Sequence, residues 1–219
     1  RRLLPFQCDG VRFGLRRHGR CLIADDMGVG KTLQAIAITS AYRHEGSVLV
    51  ILPASLRLMW AEEIERWVPQ LRPGDIHIVF GSEDRLSGLA HKPRAVITSY
   101  NMVQRLEAEM LATPWAVAIA DESHALRTGS LSHGENKIVA SVEKVLRKIP
   151  RVVMLSGTPA LSRPYDLFVQ AEVLWPQLLS NSKAAFANAY CERKLVRNGR
   201  YRQGFHYEMR GGQRLPELH

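Results

Sequence analysis

Asp25-Asp26-Met27-Gly28-Val29-Gly30-Lys31-Thr32 stands between an apolar run, Cys21-Leu22-Ile23-Ala24, and a helical pattern that begins at Leu33. A buried strand that delivers a glycine-bearing turn into a helix N-terminus aims several unpaired backbone N–H groups at one point. The helix dipole adds partial positive charge there, so the phosphates of a nucleoside triphosphate are the natural occupant. Gly28 and Gly30 let the backbone take positive φ and approach the anion, Lys31 reaches the terminal phosphates, and the Thr32 hydroxyl can ligate Mg²⁺. The general phosphate-loop pattern G-x-x-x-x-G-K-[ST] asks for glycine where this chain has Asp25, so only its second half is met. The competing reading is a glycine turn that happens to precede a lysine, and the rest of the chain has to decide.

Outward from this loop, short apolar runs alternate with helical patterns, the signature of a mostly parallel α/β sheet with helices on both faces. The strand candidates are Cys21 to Ala24, Val48 to Leu52, Ile76 to Phe80, Ala95 to Thr98, Ala116 to Ala120 and Val152 to Leu155, six runs for one sheet. They are continuous and rich in β-branched residues, as strands buried on both faces should be. Helices are expected over Lys31 to Tyr42, over Ser55 to Trp67 with Ser55 as N-cap, and over Asn101 to Leu111. Glu135 to Ile149 puts Ile138, Val139, Val142, Val145, Leu146 and Ile149 on one stripe, which leaves Lys137, Lys144, Arg147 and Lys148 on a wet basic face. Ser162, Pro164 and Asp166 signal the start of a helix through Trp175, and another is expected from Ser182 to Cys191. Beyond Cys191 the pattern dissolves into a basic stretch that reads as a loop or an appended element.

Bulk properties set limits. A chain of 219 residues can bury a good core as one large domain or two small ones. No apolar run approaches the ~20 residues of a membrane helix, and the arginine-rich start has no signal-peptide core, so no membrane partner is expected. Cys8, Cys21 and Cys191 lie far apart with no CxxC spacing, which suits reduced thiols in an intracellular protein and no zinc. The net charge of +9 sits at the ends: residues 1–20 carry six basic and one acidic side chain, and residues 186–219 carry seven and three. Basic flanks around a neutral body suit a polyanion such as nucleic acid, although charge runs are commonly just solvated surface.

Two further elements follow apolar runs. Asp121-Glu122-Ser123-His124 places adjacent carboxylates at a strand's C-terminal end, where open α/β sheets bind ligands. Asp121 can hold Mg²⁺ while Glu122 polarises an attacking water. Alone such a pair would read as a polar loop capping a helix, but a phosphate loop at the end of another strand shifts the balance. Ser156-Gly157-Thr158-Pro159 supplies small hydroxyls that can sense the γ-phosphate state and pass it to a neighbouring domain; on its own it is a turn.

Together these residues resemble the ordered motifs of the first, RecA-like lobe of superfamily 2 helicases, and among them the Swi/Snf-type ATP-dependent DNA translocases. Pro5-Phe6-Gln7 with Gly10-Val11 resembles the family's opening element, whose glutamine reads the adenine edge. Ala24 to Thr32 resembles motif I in its Asp25-x-Met27-Gly28-x-Gly30-Lys31-Thr32 form, with Asp26 where Glu is usual and Val29 in the loop. Leu52-Pro53-Ala54-Ser55-Leu56 with Trp60, Glu63 and Trp67 resembles motif Ia, and Ile97-Thr98-Ser99-Tyr100 motif Ib. The resemblance implies that Pro53, Ser55, Ser99 and Tyr100 touch the DNA backbone. Asp121 to His124 matches motif II and Leu155 to Ala160 motif III. The run from Leu155 through Pro164, with Tyr190-Cys191, is most similar to the HepA-related annealing-helicase branch.

The resemblance implies ATP and Mg²⁺ as cofactors and Lys31, Asp121 and Glu122 as catalytic residues. It implies duplex or forked DNA as partner, and nuclear localisation in a eukaryote or cytoplasmic otherwise. Residues 1–180 would be the ATP-binding lobe, with 181–219 a helical or loop extension leading towards a second lobe. That lobe's motifs IV to VI and arginine fingers have no counterpart here, so nucleotide binding with little turnover is expected of these 219 residues. Trp60 and Trp67, at helical spacing, read as core packing. An RNA helicase of related architecture and a non-catalytic scaffold are the alternatives; intact Lys31, Thr32, Asp121 and Glu122 argue against the scaffold.

Overall fold

The computed structural model describes residues 2–89, 91–127, 133–159, 164–197 and 205–212. In chain order these form α1 (Pro5–Arg16), β1 (Arg20–Ile23), α2 (Lys31–Ser40), β2 (Ser47–Leu52), α3 (Arg57–Trp67), β3 (Ile76–Ile78), β4 (Ala95–Ser99), α4 (Tyr100–Arg105), α5 (Glu107–Ala112) and β5 (Trp115–Asp121). They continue as α6 (His133–Lys148), β6 (Val152–Leu155), α7 (Phe168–Leu174), α8 (Lys183–Tyr190), β7 (Cys191–Arg197) and β8 (Phe205–Gly212). The six expected strands form one sheet in the order β1-β6-β5-β2-β4-β3, every pairing parallel.

Residues alternate between the two faces, and both faces are covered. Leu49 and Ile51 of β2, with Ala118 and Ala120 of β5, pack against helices α4 to α8 through Met102, Val103, Val142, Leu146 and Phe168. Val50 and Leu52, with Val117 and Ile119, face α2 and α3 through Ile36, Ile38, Trp60 and Ile64. Truncating Trp60, which is wholly buried, to alanine would cost about 3–5 kcal/mol. On α6 the expected stripe is buried from Val139 to Ile149 and half-buried at Ile138, but its basic face is not simply wet. Lys144 pairs with Glu107, Arg147 with Glu143 and Glu172, and Lys148 donates to the Leu111 carbonyl.

Several elements depart from the sequence pattern. Helix α1 escapes it because Gly10 and Gly14 weaken the local helical signal. Those glycines let α1 lie close on α2: a Cβ at Gly10 would fall 1.9 Å from Gln34 Oε1, and one at Gly14 2.4 Å from Ile38 Cδ1. Ser55 does not cap α3; it sits in a 3₁₀ turn, Ala54–Leu56, and the N-cap position belongs to Leu56. The expected helix from Asn101 breaks at buried Leu106, whose φ of -109° and ψ of 25° separate α4 from α5. Ser182 caps α8 by accepting from the Ala185 N–H. After it, β7 and β8 pair antiparallel, so the stretch that reads as loop or appended element contains a hairpin. Ala160 to Arg163, including the Ser162 start signal, lie outside the described residues, as do Asn198 to Arg200.

Arg20, counted above with the basic N-terminal flank, is used inside the fold. Its guanidinium donates to the carbonyls of Ile149, Pro150, Val173 and Leu174, satisfying orphan acceptors where α6 and α7 end. Cys8, Cys21 and Cys191 form no disulfide. Burial pushes the Cys21 thiol up to about 12, which leaves it inert. No helix among the described residues is long and apolar enough to cross a membrane.

Candidate functional site

Motifs I, Ia, Ib and II and the described residues of motif III gather at the carboxyl edge of the sheet, because each follows directly on a parallel strand, and Gln7 reaches the same edge from α1. Gly28 and Gly30 take φ of 79° and 85°, and Gly30 is the left-handed N-cap of α2. Lys31 Nζ donates to the carbonyls of Asp25 (2.9 Å) and Asp26 (2.8 Å), so its ammonium lies inside the curve of the loop. Asp25, the residue standing where glycine was expected, serves as an anchor: its Oδ2 accepts from Gln34 Nε2 at 2.7 Å. Gln34 is wholly buried on α2, so this bond ties the start of the loop to the helix it feeds.

Gln7 braces the same loop from α1. Its Oε1 accepts from the Leu4 N–H at 2.9 Å, and its Nε2 donates to the Val29 carbonyl at 3.0 Å. A glutamine three residues into the helix reaching back to the preceding N–H is half of a capping box. The other end of the amide grips the loop, and Gln7 is only 6% exposed.

Asp121 is the last residue of β5, and both its carboxylate oxygens are held. Oδ1 accepts from the Glu122 N–H at 2.9 Å, and Oδ2 from the indole N–H of Trp60 at 2.7 Å. The Tyr100 hydroxyl donates to the Asp121 carbonyl at 2.8 Å. Burial, then the charges of Asp121 and Glu122, push the Tyr100 phenol well above its ordinary value, so it remains a donor. Glu122 adopts left-handed backbone (φ 51°, ψ 49°), an uncommon state for a non-glycine residue that costs of order 1 kcal/mol or more. This turn lifts its carboxylate off the strand.

Motifs II and III are joined by polar bonds. His124 Nδ1 lies 3.2 Å from Glu122 Oε2 and 3.1 Å from Ser156 Oγ, and Ser156 Oγ accepts from the Thr158 N–H at 3.1 Å. Ser123 Oγ donates to Gln170 Oε1 on α7, and Gln170 Nε2 donates to the Pro159 carbonyl, both at 2.8 Å. Gly157 lies against the loop, where a Cβ would meet Met27 Cγ at 2.8 Å.

Lys31, Thr32, Asp121 and Glu122 line one cavity of about 510 Å³, with Met27 and Gly30 on the loop side and Leu56, Met59 and Trp67 on the α3 side. Its donor set suits Mg²⁺, which takes hard oxygen ligands from one or two protein groups plus phosphate and water. Asp121 and Thr32 could supply those groups.

Among the nucleic-acid candidates, Pro53 is half-buried and Ser55 exposed. Ser99 and Tyr100 are 6% and 9% exposed, and the Tyr100 hydroxyl is occupied by Asp121. Ser99 and Tyr100, which the resemblance implies touch the DNA backbone, thus lie buried beside motif II. Trp60, Gln34 and Gln170 are the site residues that the sequence reading leaves out. The signal for Trp60 was its indole: a fully buried tryptophan needs a partner for its N–H, and α3 follows β2, the neighbour of β5.

The SNF2-related domain matches residues 6–203. The chain belongs to that family. As an SNF2-related domain it is 40% identical over 225 residues to the mouse DNA annealing helicase and endonuclease ZRANB3, covering all of this chain and 20% of that protein. It is 39% identical over 217 residues to the bovine SWI/SNF-related matrix-associated actin-dependent regulator of chromatin subfamily A-like protein 1, covering 99% of this chain and 21% of the relative. The chain thus spans about a fifth of these curated relatives. Among solved structures, the Sulfolobus solfataricus SWI2/SNF2 ATPase core in complex with dsDNA superposes with a TM-score of 0.69 at 28% identity, over 87% of this chain and 39% of that one. The UvsW helicase of bacteriophage T4 shares the fold, with a TM-score of 0.57 at 17% identity over 78% of this chain and 58% of that one.

Proposed function

We propose that residues 1–180 are the ATP-binding lobe of a DNA translocase of the annealing-helicase type, and that 181–219 lead towards a second lobe. The observation that carries this reading is the convergence of Lys31, Thr32, Asp121 and Glu122 on one cavity in an SNF2-related domain. In it Lys31 and the loop N–H groups bind the triphosphate, Thr32 and Asp121 hold Mg²⁺, and Glu122 orients the attacking water. Mg²⁺ would supply Lewis-acid neutralisation of the phosphate charge. His124, with Ser156, Gly157 and Thr158, carries the nucleotide state to the rest of the protein. Gln7 holds the loop and meets the adenine.

Pro53 and Ser55 are the DNA-backbone contacts retained in this reading. Such contacts are sequence-independent and weaken as salt rises. The work done is movement on duplex or forked DNA, in fork remodelling, repair or chromatin remodelling, and the setting is the nucleus in a eukaryote. Hydrolysis needs arginines from a second lobe, worth ~10³ or more in rate, so the lobe alone binds nucleotide with little turnover. The test compares ATP hydrolysis by the full-length protein with duplex, forked and single-stranded DNA and with RNA. Stimulation by duplex or forked DNA is expected; stimulation by RNA alone would overturn the DNA reading, and fast turnover by residues 1–219 would overturn the requirement for a second lobe.

A further inference from the structure

Two elements that lead from the sheet edge to the surface both end on Asp121. Trp60 lies in the first turn of α3, directly after the Ala54–Leu56 turn in which Ala54 and Ser55 are exposed. It is fully buried, and a hydrocarbon could fill most of its volume; what a hydrocarbon could not supply is the N–H that meets Asp121 Oδ2 at 2.7 Å. A bond from a neutral donor to a buried carboxylate is short and strong, and it fixes the rotation of the carboxyl group. Tyr100 opens α4 at the end of β4 and holds the Asp121 main-chain carbonyl at 2.8 Å. One bond sets the side chain and the other sets the backbone that carries it. Because β5 lies beside β2, which leads to α3, and β2 lies beside β4, which leads to α4, the three residues meet along one edge of the sheet.

We propose that Trp60 and Tyr100 are positioning residues that aim Asp121 at the metal, and that Trp60 links the exposed turn ahead of α3 to metal binding. Phosphate-backbone contact at Ser55 then shifts α3 and, through the indole, the carboxylate. The inference rests on the assignment of Asp121 to Mg²⁺ made above. Residues that orient a ligating carboxylate typically change metal affinity by about 10- to 100-fold when lost.

The test uses the full-length protein and a fluorescent ATP analogue, with binding titrated against Mg²⁺ and repeated in EDTA. Trp60→Phe should raise the Mg²⁺ concentration for half-maximal binding about 10-fold while leaving affinity in EDTA unchanged. Tyr100→Phe, which removes one hydroxyl and keeps the ring, should move it in the same direction by less, and it carries the test if Trp60→Phe fails to fold in a thermal melt. Duplex DNA should lower the wild-type half-saturation point and have no such effect in Trp60→Phe. Asp121→Ala separates the two levels of argument. If Asp121→Ala raises the Mg²⁺ requirement and neither aromatic variant does, the positioning inference fails and the metal assignment stands. If Asp121→Ala leaves the requirement unchanged, the assignment of Asp121 to the metal fails and the inference with it. Equal weakening of binding in Mg²⁺ and in EDTA by the aromatic variants, or a duplex effect retained in Trp60→Phe, would also overturn it.

Discussion

After β1 the chain turns through Gly28 and Gly30, both at positive φ; after β5 it turns through Glu122, a non-glycine residue at φ 51°. The first turn is held chiefly by near neighbours: Lys31 bonds to Asp25 and Asp26, and Gln34 to Asp25. Gln7, from α1, is its one distant brace among the described side-chain bonds. The second turn is held from afar, by Trp60, Tyr100 and Gln170, each on a separate helix. A phosphate loop can be written into a dozen residues because its backbone does the binding. A carboxylate that must point at a metal needs a scaffold, and the scaffold is spread over the chain.

The contrast can be broken at either end. The largest effect is expected from Lys31→Ala, which removes the charged donor and should cost triphosphate affinity roughly 100-fold or more; unchanged affinity in a nucleotide titration would sink the phosphate assignment. Glu122→Gln keeps size and backbone but removes the base, so the full-length protein should still bind ATP while hydrolysis falls by about 10²- to 10⁴-fold. Wild-type turnover would take Glu122 out of the water-activating role. Gly30→Ala tests the local end in stability: φ is 85°, and the new Cβ would lie 2.6 Å from Gln7 Nε2. A loss of about 1–3 kcal/mol in denaturant melts is expected. Glu122→Gly tests the distant end with the opposite sign, since relief of left-handed strain should gain about 1 kcal/mol even as hydrolysis is lost. A fall in stability there would mean that the Glu122 side chain holds the turn.

The smallest effect lies away from the site. Hydrogen bonds from Lys144 and Ser141 hold the Glu107 carboxyl below its ordinary 4.5. A depressed carboxyl stabilises the fold above that ordinary value and loses the contribution as pH falls through the lowered one. Glu107→Gln should therefore lower stability slightly at neutral pH, and its deficit against the unsubstituted protein should shrink as pH falls below about 4.5, read from denaturant melts across that range.

This division explains what could be read from the sequence. The six strands are legible because β2, β4, β5 and β6 are apolar runs buried almost throughout and the edge strands β1 and β3, though only partly buried, are still rich in apolar residues, and the loop at 25–32 because its glycines and lysine carry their own geometry. Helix α1 was hidden by the glycines that let it dock on α2. The break at Leu106 was hidden because nothing local marks it. Trp60 was read as core, and it is core; its second role depends on which strand β5 settles beside, a fact of topology that no window of residues contains. The burial of Ser99 and Tyr100 beside motif II is likewise set by the packing of α4 and β5 and not by any local pattern around them.

The clamp made by Arg20 has a bearing on how the lobe would come apart. Strand β1, which carries the phosphate loop, is an edge strand among the described residues, hydrogen-bonded within the sheet to β6. Edge strands have a partner on one side only, so the nucleotide loop is seated on one of the sheet's two margins and not on its centre. Arg20 rivets the strand's first residue to the carbonyls that close α6 and α7. Amide hydrogen exchange at Cys21 to Ile23 therefore reads the local opening of this edge, and in an Arg20→Ala variant it should quicken ahead of exchange in the central strands β5 and β2. The lobe would lose its grip on nucleotide by unzipping one margin well before it lost its core.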